Sequence, residues 1–242
     1  MDKTVYLRMA EQDAEHWWFV ARRRILRDRI DAMQLPAAAR ILEAGCGPGG
    51  NLAMLAEFGQ LDAFELDDDA RSIAAARSGI EVKAGSLPSD LAYEPGSFDL
   101  IAAFDVIEHI DQDQESVRSL AGLLRPGGRL IITVPAYRWL WSAHDERHHH
   151  KRRYTRPQIC ALAEQAGLTI EQSSYFNSLL FPLIAGVRFL KKLLGLTDSP
   201  DDAIPAAPIN AALTRIFGAE RHLLRYLSLP FGVSVLCIAR KD

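Results

Sequence analysis

Short apolar runs alternate with amphipathic stretches along most of the chain. Seven of these runs have the length and composition of β-strands: residues 40–44, 61–66, 80–84, 98–103, 129–134, 168–175 and 233–240. The first five are largely apolar and are separated by helical patterns, which is typical of parallel strands covered by helices on both faces. The pattern predicts an α/β protein with a doubly wound, mostly parallel sheet of seven strands.

Two regions lie outside this alternation within a single predicted domain. Residues 1–37 form a charged, aromatic-rich helical segment, which we expect either to pack on the core or to form a lid over a ligand site. Residues 38–177 carry the core, residues 178–228 form a helical insertion, and residues 229–242 contain the last strand. A connection of about fifty residues before that strand is unusually long, and it predicts additional helices that have a function.

A glycine-rich turn follows the first predicted strand. Gly45, Gly47 and Gly49 come directly after an apolar run that ends in an acid, and a helix-forming run follows them. Glycine permits a sharp turn and leaves the peptide groups open to a ligand at the helix N-terminus. Because Gly50 completes the pattern G-x-G-x-x-G, an oxidoreductase that binds NAD is one interpretation.

Acidic residues distinguish between the nucleotide ligands. Glu65 ends the second predicted strand, at about the distance from the glycine turn where an acid reaches ribose hydroxyls. Glu43, two residues before the first glycine, would repel a pyrophosphate but attract a ligand that carries ammonium and sulfonium groups. The segment Glu43–Gly49 resembles the first motif of class I methyltransferases, which use S-adenosylmethionine (SAM).

This resemblance continues through two further segments. Ser97–Ile110 is similar to the fourth strand and following loop of those methyltransferases, and Leu123–Pro135 is similar to their next turn and fifth strand. The resemblance implies a Rossmann-like methyltransferase fold with an antiparallel last strand, and SAM as the cofactor. The cofactor-binding residues that it implies are Glu43, Gly45, Gly47, Gly49, Glu65, Ser86, Leu87, Phe104 and Asp105.

The densest polar segment follows the fifth predicted strand. In doubly wound folds such a loop emerges at the carboxyl ends of the strands, where ligands bind. Within it, His150–Tyr154 resembles a loop of methyltransferases related to the ubiquinone-biosynthesis O-methyltransferases. A histidine can remove a hydroxyl proton near neutral pH, and arginines offer forked donors to an acidic acceptor. The predicted catalytic residues are His144, His150, Arg152 and Arg153, and a solvated charge run is the simple alternative.

No resident metal is predicted, although one alternative stays open. Asp105, Glu108 and His109 resemble the acidic-x-x-Glu-His arrangement of some metal-assisted O-methyltransferases, with Asp in place of the first Glu. His144 or His150 would complete such a set of ligands. Otherwise, Glu108 and His109 would shape the floor of the site through hydrogen bonds.

Charge and composition narrow the partners and the location. The chain of 242 residues has a net charge of -3, so nucleic acid is not an expected partner. Its three widely spaced cysteines and polar N-terminus favour the cytoplasm. Residues 178–194 place apolar side chains beside Arg188, Lys191 and Lys192, which predicts either a cap over an acceptor pocket or peripheral contact with a membrane.

Together these features favour an enzyme that transfers a methyl group from SAM to a small-molecule or lipid-linked acceptor, at oxygen. Such a reaction needs alignment and deprotonation of the acceptor more than a covalent nucleophile. An NAD-dependent oxidoreductase and a non-catalytic, SAM-binding regulatory module are the alternatives.

Overall fold

The computed structural model describes residues 3–194 and 203–242, and a seven-stranded sheet forms its centre. The strands are β1 (Arg40–Ala44), β2 (Gln60–Glu65), β3 (Val82–Ala84), β4 (Phe98–Phe104), β5 (Leu124–Pro135), β6 (Leu168–Phe176) and β7 (Ser234–Lys241). Their order across the sheet is β3-β2-β1-β4-β5-β7-β6. The first five strands pair in parallel, and β7 runs antiparallel between β5 and β6. The predicted fold and the antiparallel last strand are confirmed.

Helices cover both faces of this sheet. They are α1 (Lys3–Gln12), α2 (Trp17–Asp31), α3 (Leu52–Ala56), α4 (Asp68–Ser78), α5 (Asp113–Leu123), α6 (Ala143–Arg147), α7 (Arg156–Gln165), α8 (Phe181–Leu193) and α9 (Ala207–Leu223). Helices α5 and α7 pack on one face, whereas α2, α3 and α9 pack on the other. Both faces of the central strands are therefore buried, which explains their continuous hydrophobicity.

Strand β5 begins earlier than the predicted boundary at residue 129. Leu124 already pairs with Phe98, and the register then shifts before Leu100 pairs with Arg129. A proline and two glycines lie between these two pairs, and Gly127 has a φ of 79°. Because proline and glycine interrupt the apolar run, the sequence pattern predicts that the strand begins after them.

The N-terminal segment is divided between core and cavity wall. Ile25, Leu26 and Ile30 of α2 are fully buried against the sheet and α9. Burial of each such side chain stabilises the fold by roughly 1.5–3 kcal/mol. The opposite end of α2, at Trp17–Phe19, lines a large cavity together with part of α1. Most of α2 therefore packs on the core, and its first turn forms part of the cavity wall; a lid over the ligand site stays a prediction.

The predicted helical insertion contains α8 and α9, and residues 195–202 between them lie outside the described part of the chain. Helix α9 buries Phe217 against Phe176 of the sheet, with ring centroids 6.0 Å apart. Helix α8 has no buried residue. Within residues 3–194 and 203–242, none of the helices combines the length and apolar content required to cross a membrane.

Candidate active site

A large cavity opens where the carboxyl ends of the parallel strands meet the helices above them. Its volume is about 830 Å³, and its wall includes Glu43 near the end of β1, Glu65 at the end of β2 and Pro135 at the end of β5. Ligand pockets commonly measure roughly 300–1,000 Å³. The cavity therefore has room for a cofactor and part of an acceptor, at the edge of the sheet that the sequence predicts.

The glycine turn forms one wall of the cavity. Gly47 has a φ of 53°, and a Cβ atom placed there would meet no other atom within 4 Å. Gly45 also has positive φ, and its missing Cβ would lie 3.0 Å from Val106. Gly49 differs from the prediction, because it does not line the cavity and its missing Cβ would lie 3.0 Å from Ala74. Its role is close packing of the turn against α4.

Glu43 presents an unpartnered oxygen to this region. Its side chain is only 1% exposed. The Asn51 side-chain amide donates a hydrogen bond to Oε1 over 2.8 Å, whereas Oε2 has no partner. Burial raises the pKa of Glu43 to about 7, against the opposing effects of Asn51 and Arg22. A cationic ligand group that pairs with Oε2 would favour the ionised carboxylate.

Glu65 holds the glycine turn and the start of α4 in place. Its Oε2 accepts a hydrogen bond from the Gly47 backbone N–H over 2.8 Å, and its Oε1 accepts from the Asp67 N–H over 3.0 Å. Each carboxylate oxygen retains a second lone pair for a ligand hydroxyl. The carboxylate lines the cavity as predicted.

Ser86 and Leu87 also line the cavity, beyond the end of β3. The backbone of Ser86 exchanges two hydrogen bonds of 2.9 Å with that of Asp90, which holds the loop at the cavity wall. Phe104 lines the cavity at the end of β4. All three residues were predicted to contact the cofactor, and all three lie on the cavity wall.

Arg22 is a site residue that sequence reasoning missed. Its guanidinium pairs with Asp105 over 2.6 Å, donates to the Thr133 hydroxyl over 2.9 Å and lies 5.3 Å from the centre of the Phe104 ring. It thereby links α2 to the ends of β4 and β5. Arg22 is one of three consecutive arginines, and only their helical positions indicate which of them faces inward.

His150 and Asp145 form a buried pair at the other side of the cavity. His150 Nδ1 lies 2.9 Å from Asp145 Oδ1, and the Asp145 side chain is 0% exposed. Burial alone would raise the pKa of Asp145, but hydrogen bonds from His150 and Arg153 hold that pKa well below its ordinary value. An ionised Asp145 requires a proton on Nδ1, and in the neutral imidazole the Nε2 lone pair is then available as a base or metal ligand.

Of the two arginines predicted to clamp the acceptor, only Arg153 lines the cavity, and both pair with acids of the chain. Arg153 is bound by both oxygens of Asp145, at 2.7 and 2.9 Å, so its donors position the His150 pair. Arg152 does not line the cavity and pairs with Asp113 over 2.7 Å. Consecutive residues of this extended segment point in opposite directions, which separates the two side chains. Asp145, which connects Arg153 to His150, was not among the predicted residues.

Three potential metal ligands lie close together, and one of them is His150 itself. Atoms of Glu108, His109 and His150 all lie within 4.8 Å of one another, whereas Asp105 and His144 are not members of this group. Both Glu108 oxygens are buried without a hydrogen-bond partner, and burial raises the pKa of this carboxyl well above its ordinary range. Burial and the neighbouring His150 lower the pKa of His109 to about 4. His144 lines the cavity, with its ring centroid 5.9 Å from that of His150.

Comparison with known proteins identifies the family. A family model described as a methyltransferase domain matches residues 18–173, which include the glycine turn and the first five strands. The chain therefore belongs to this methyltransferase family, and its fold is that of the class I SAM-dependent enzymes. This assignment favours methyl transfer over the NAD-dependent oxidoreductase and over the non-catalytic module.

Individual relatives agree with the family assignment. The ubiquinone biosynthesis O-methyltransferase of Xanthomonas axonopodis pv. citri (strain 306) is 27% identical over 164 residues, which cover 60% of this chain and 69% of that protein. The protein of the same description from Xanthomonas campestris pv. campestris (strain B100) is 29% identical over 113 residues, or 44% of this chain and 47% of the relative. The match to these relatives thus spans between about half and two thirds of their length.

Solved structures share the fold at low identity. The complex of the Haloferax volcanii Trm112 methyltransferase activator with a methyltransferase superposes with a TM-score of 0.65 at 16% identity, over 99% of this chain and 95% of the other. Phosphoethanolamine N-methyltransferase 2 of Haemonchus contortus, solved with SAM, gives a TM-score of 0.57 at 16% identity, over 88% of this chain and 52% of the other. These similarities support the architecture alone.

The residues of this chain fit SAM as the methyl donor. The open oxygen of Glu43 suits an ammonium group, the space above Gly47 admits ligand atoms, and Glu65 can accept from ribose hydroxyls. When bound, SAM supplies a methyl group that its sulfonium activates for transfer.

Proposed function

We propose that this methyltransferase acts on a hydroxyl oxygen of a small-molecule or lipid-linked acceptor, with His150 as the general base. The observation that supports this role is the contact of 2.9 Å between His150 Nδ1 and the buried Asp145. It orients the imidazole and leaves Nε2 unprotonated for removal of an acceptor proton. The O-methyltransferase description of the Xanthomonas relatives favours oxygen as the acceptor atom.

The side chains on the acceptor side favour an apolar acceptor body. Leu180, Ile184 and Val187 of the α8 region and Leu213 of α9 line the cavity. They provide an apolar surface for an aromatic ring or a lipid chain. An acceptor held against this surface would be aligned for methyl transfer, and His150 would remove its proton.

The test separates SAM binding from turnover. With alkyl-substituted phenols as acceptors, His150→Ala is expected to lower the formation of S-adenosylhomocysteine by about 10²–10⁴-fold, the usual contribution of a positioned base. SAM affinity, measured by calorimetry, should stay unchanged. Equal turnover by the variant and the parent would contradict the role of His150. Turnover of amines but not of phenols would contradict the assignment to oxygen.

A second candidate function for the same site is metal-assisted methyl transfer. Its support is the cluster of Glu108, His109 and His150, together with the two unpartnered oxygens of Glu108. This donor set suits a divalent cation of intermediate softness. A bound cation would lower the pKa of a coordinated acceptor hydroxyl.

Metal binding can be measured directly with Mn²⁺ and calorimetry. Glu108→Gln should abolish Mn²⁺ binding, whereas Asp111→Asn, which alters an exposed acid outside the cluster, should retain it. Equal Mn²⁺ affinity for the parent and Glu108→Gln would remove the metal proposal. Full activity of the parent after chelation would also remove it and would leave His150 as a metal-free base.

We further propose that α8 rests on a cytoplasmic membrane surface during catalysis. Phe189, Leu190 and Leu193 lie on one side of α8 and are 70%, 53% and 71% exposed, and the helix carries three cations and no acid. An amphipathic helix of this kind can bury its apolar face among anionic headgroups. Phe181 is not part of this face, because it packs against Phe231 with ring centroids 5.4 Å apart.

Flotation with phosphatidylglycerol vesicles tests this contact. Phe189→Ser should reduce vesicle binding by roughly 1.5–3 kcal/mol if its ring is fully inserted, and high salt should weaken binding by the parent protein. Leu7→Ser, which changes an exposed leucine of α1, serves as the control. A parent protein that stays in the soluble fraction at low salt would show that α8 only caps the acceptor pocket.

A further inference from the structure

Asn177 stands at the acceptor side of the cavity, directly after β6. It is 0% exposed, it lines the cavity, and neither its amide oxygen nor its amide nitrogen has a hydrogen-bond partner. A buried amide without partners costs free energy that a folded protein rarely tolerates. A polar group of a ligand would relieve this cost by accepting from the nitrogen, donating to the oxygen, or both.

The backbone conformation of Asn177 does not by itself account for the buried amide. Its φ of 56° lies in the left-handed region, where asparagine is one of the favoured residues other than glycine. That preference concerns the backbone and would be met as well by glycine or by an asparagine exposed to solvent. The burial of both polar atoms at a cavity wall needs a separate explanation.

The segment that carries Asn177 is held firmly. The buried carboxylate of Glu220 accepts hydrogen bonds from the backbone N–H groups of Ser178 and Leu179, over 2.6 and 2.8 Å. The carbonyl of Asn177 accepts from the N–H of Val233. An insertion helix and the residue before the last strand thus fix the backbone, so the amide is preorganised for a ligand group.

The position of Asn177 also separates it from the methyl-transfer site. Strand β6 lies two strands beyond β5 in the sheet, with β7 between them. At a spacing of about 4.8 Å between neighbouring strands, Asn177 is displaced by about 10 Å from the end of β5. Leu180 and Ile184 line the cavity nearby in sequence, so the wall that follows Asn177 is apolar.

We propose that Asn177 is an acceptor-binding residue that recognises a second polar group, a hydroxyl or carbonyl remote from the oxygen that is methylated. This inference rests on the proposed function, since it assigns an amphipathic acceptor to the same cavity. The substrate class is then a hydroxylated compound with an apolar body and one further hydrogen-bonding group along it. None of the residues predicted from the sequence performs this recognition.

The test compares the affinities of two kinds of phenol, with and without a second hydroxyl, for the parent protein and for Asn177→Gly. The probes are 4-alkylphenols and the 4-(ω-hydroxyalkyl)phenols of matching chain length, titrated into the protein in the presence of S-adenosylhomocysteine. In the parent, at the best chain length, the added hydroxyl should improve affinity by about threefold to tenfold, as expected for one net hydrogen bond. In Asn177→Gly, which retains access to positive φ but removes the amide, this advantage should disappear.

Two further measurements distinguish recognition from a structural role. Gln34→Gly changes an exposed residue with a φ of 51° outside the cavity, and it should retain the affinity advantage of the hydroxyl. Asn177→Gly should unfold in urea at nearly the parent concentration, because the Asn177 side-chain amide makes no internal hydrogen bond. With the hydroxylated probes, the variant should show a raised KM.

The outcomes separate this inference from the proposed function. An equal hydroxyl advantage in the parent and in Asn177→Gly, or no advantage in the parent at any chain length, would overturn the role of Asn177. Loss of stability in Asn177→Gly without a change in probe selectivity would show a structural role instead. A parent that binds the hydroxylated phenols selectively but never methylates them would overturn the proposed function while leaving the binding site in place.

Discussion

The two ends of the cavity are built in different ways. At the cofactor end, Glu43, Gly47 and Glu65 come from two neighbouring strands and the turn between them. At the acceptor end, His150, Asn177 and Leu213 come from a loop, a strand end and an insertion helix that are far apart in the chain. The cofactor end is formed by residues close together in the chain. The acceptor end depends on how elements distant in the chain pack against one another. We therefore expect substitutions to affect the two ends differently.

The largest effect is expected at the acceptor end, from Asp145→Ala. This change leaves Arg153, with a side chain only 2% exposed, as an unpaired buried charge. Removal of one partner from a buried pair costs about 3–5 kcal/mol of unfolding free energy. Urea denaturation measures the loss. Glu57→Ala, in a surface pair whose side chains are 60% and 47% exposed, should cost at most about 1 kcal/mol. Equal losses would show that the Asp145 pair is not effectively buried.

At the cofactor end, the stability of the ligand-free protein should depend on the ionisation of Glu43. Its pKa is about 7 in the folded protein, against an ordinary value of 4.5, so the folded state retains a proton that the unfolded state releases. Stability contributed by the neutral acid is therefore present below about pH 4.5 and is lost as the pH rises to about 7. At about 1.4 kcal/mol for each pKa unit, the loss is of the order of 3 kcal/mol.

Glu43→Gln tests this pH dependence, because glutamine can still accept the hydrogen bond from Asn51 but does not ionise. The difference in unfolding free energy between the variant and the parent should grow in favour of the variant from about pH 5 to about pH 8. Saturating SAM should reduce the difference, since its cationic group would stabilise the Glu43 carboxylate. A constant difference across this pH range would contradict the raised pKa.

A smaller effect is expected for the affinity of the cofactor in Glu65→Ala. The change removes the proposed acceptor for the ribose hydroxyls and should weaken SAM binding by about 1.5–3 kcal/mol. Calorimetry with SAM measures this loss. Asp62→Ala on the same strand, where Asp62 pairs with Arg40 away from the cavity, is the matched control and should bind SAM as the parent does. Unchanged SAM affinity in a folded Glu65→Ala variant would remove this residue from the cofactor site.

The smallest effect on stability is expected for Arg152→Ala. This variant tests whether Arg152, unlike its neighbour Arg153, contributes little to the site. Arg152 is 34% exposed in its side chain and pairs with Asp113, so its loss should cost at most about 1 kcal/mol. Turnover with alkyl-substituted phenols should stay at the parent rate. A large increase in KM for an acidic acceptor would instead restore the predicted clamp.

The sequence alone was sufficient for the architecture, and it indicated Glu43, Gly47 and Glu65, which lie on the cavity wall. Seven apolar runs indicated seven strands, and the antiparallel position of β7 agrees with the family resemblance. Glu43, Gly47 and Glu65 were identified because strand ends and positive-φ glycines leave a pattern within a short stretch of chain. Gly49 was assigned to the same pattern, but its packing against Ala74 depends on the approach of α4 and cannot be read from spacing.

Only the tertiary structure shows which polar side chains meet at the acceptor end. The charge run from His148 to Arg153 offers several candidate bases and clamps, and burial of Asp145 selects His150 and Arg153 from among them. Arg22 and Asn177 carry no local signal, since three arginines stand together in α2 and a single asparagine ends β6. Their roles depend on which side chains are removed from water and left facing a cavity, and burial is a property of the packed molecule. Local sequence specifies backbone turns and hydrophobic period, whereas the partners of a buried polar group are set by elements that meet only after folding.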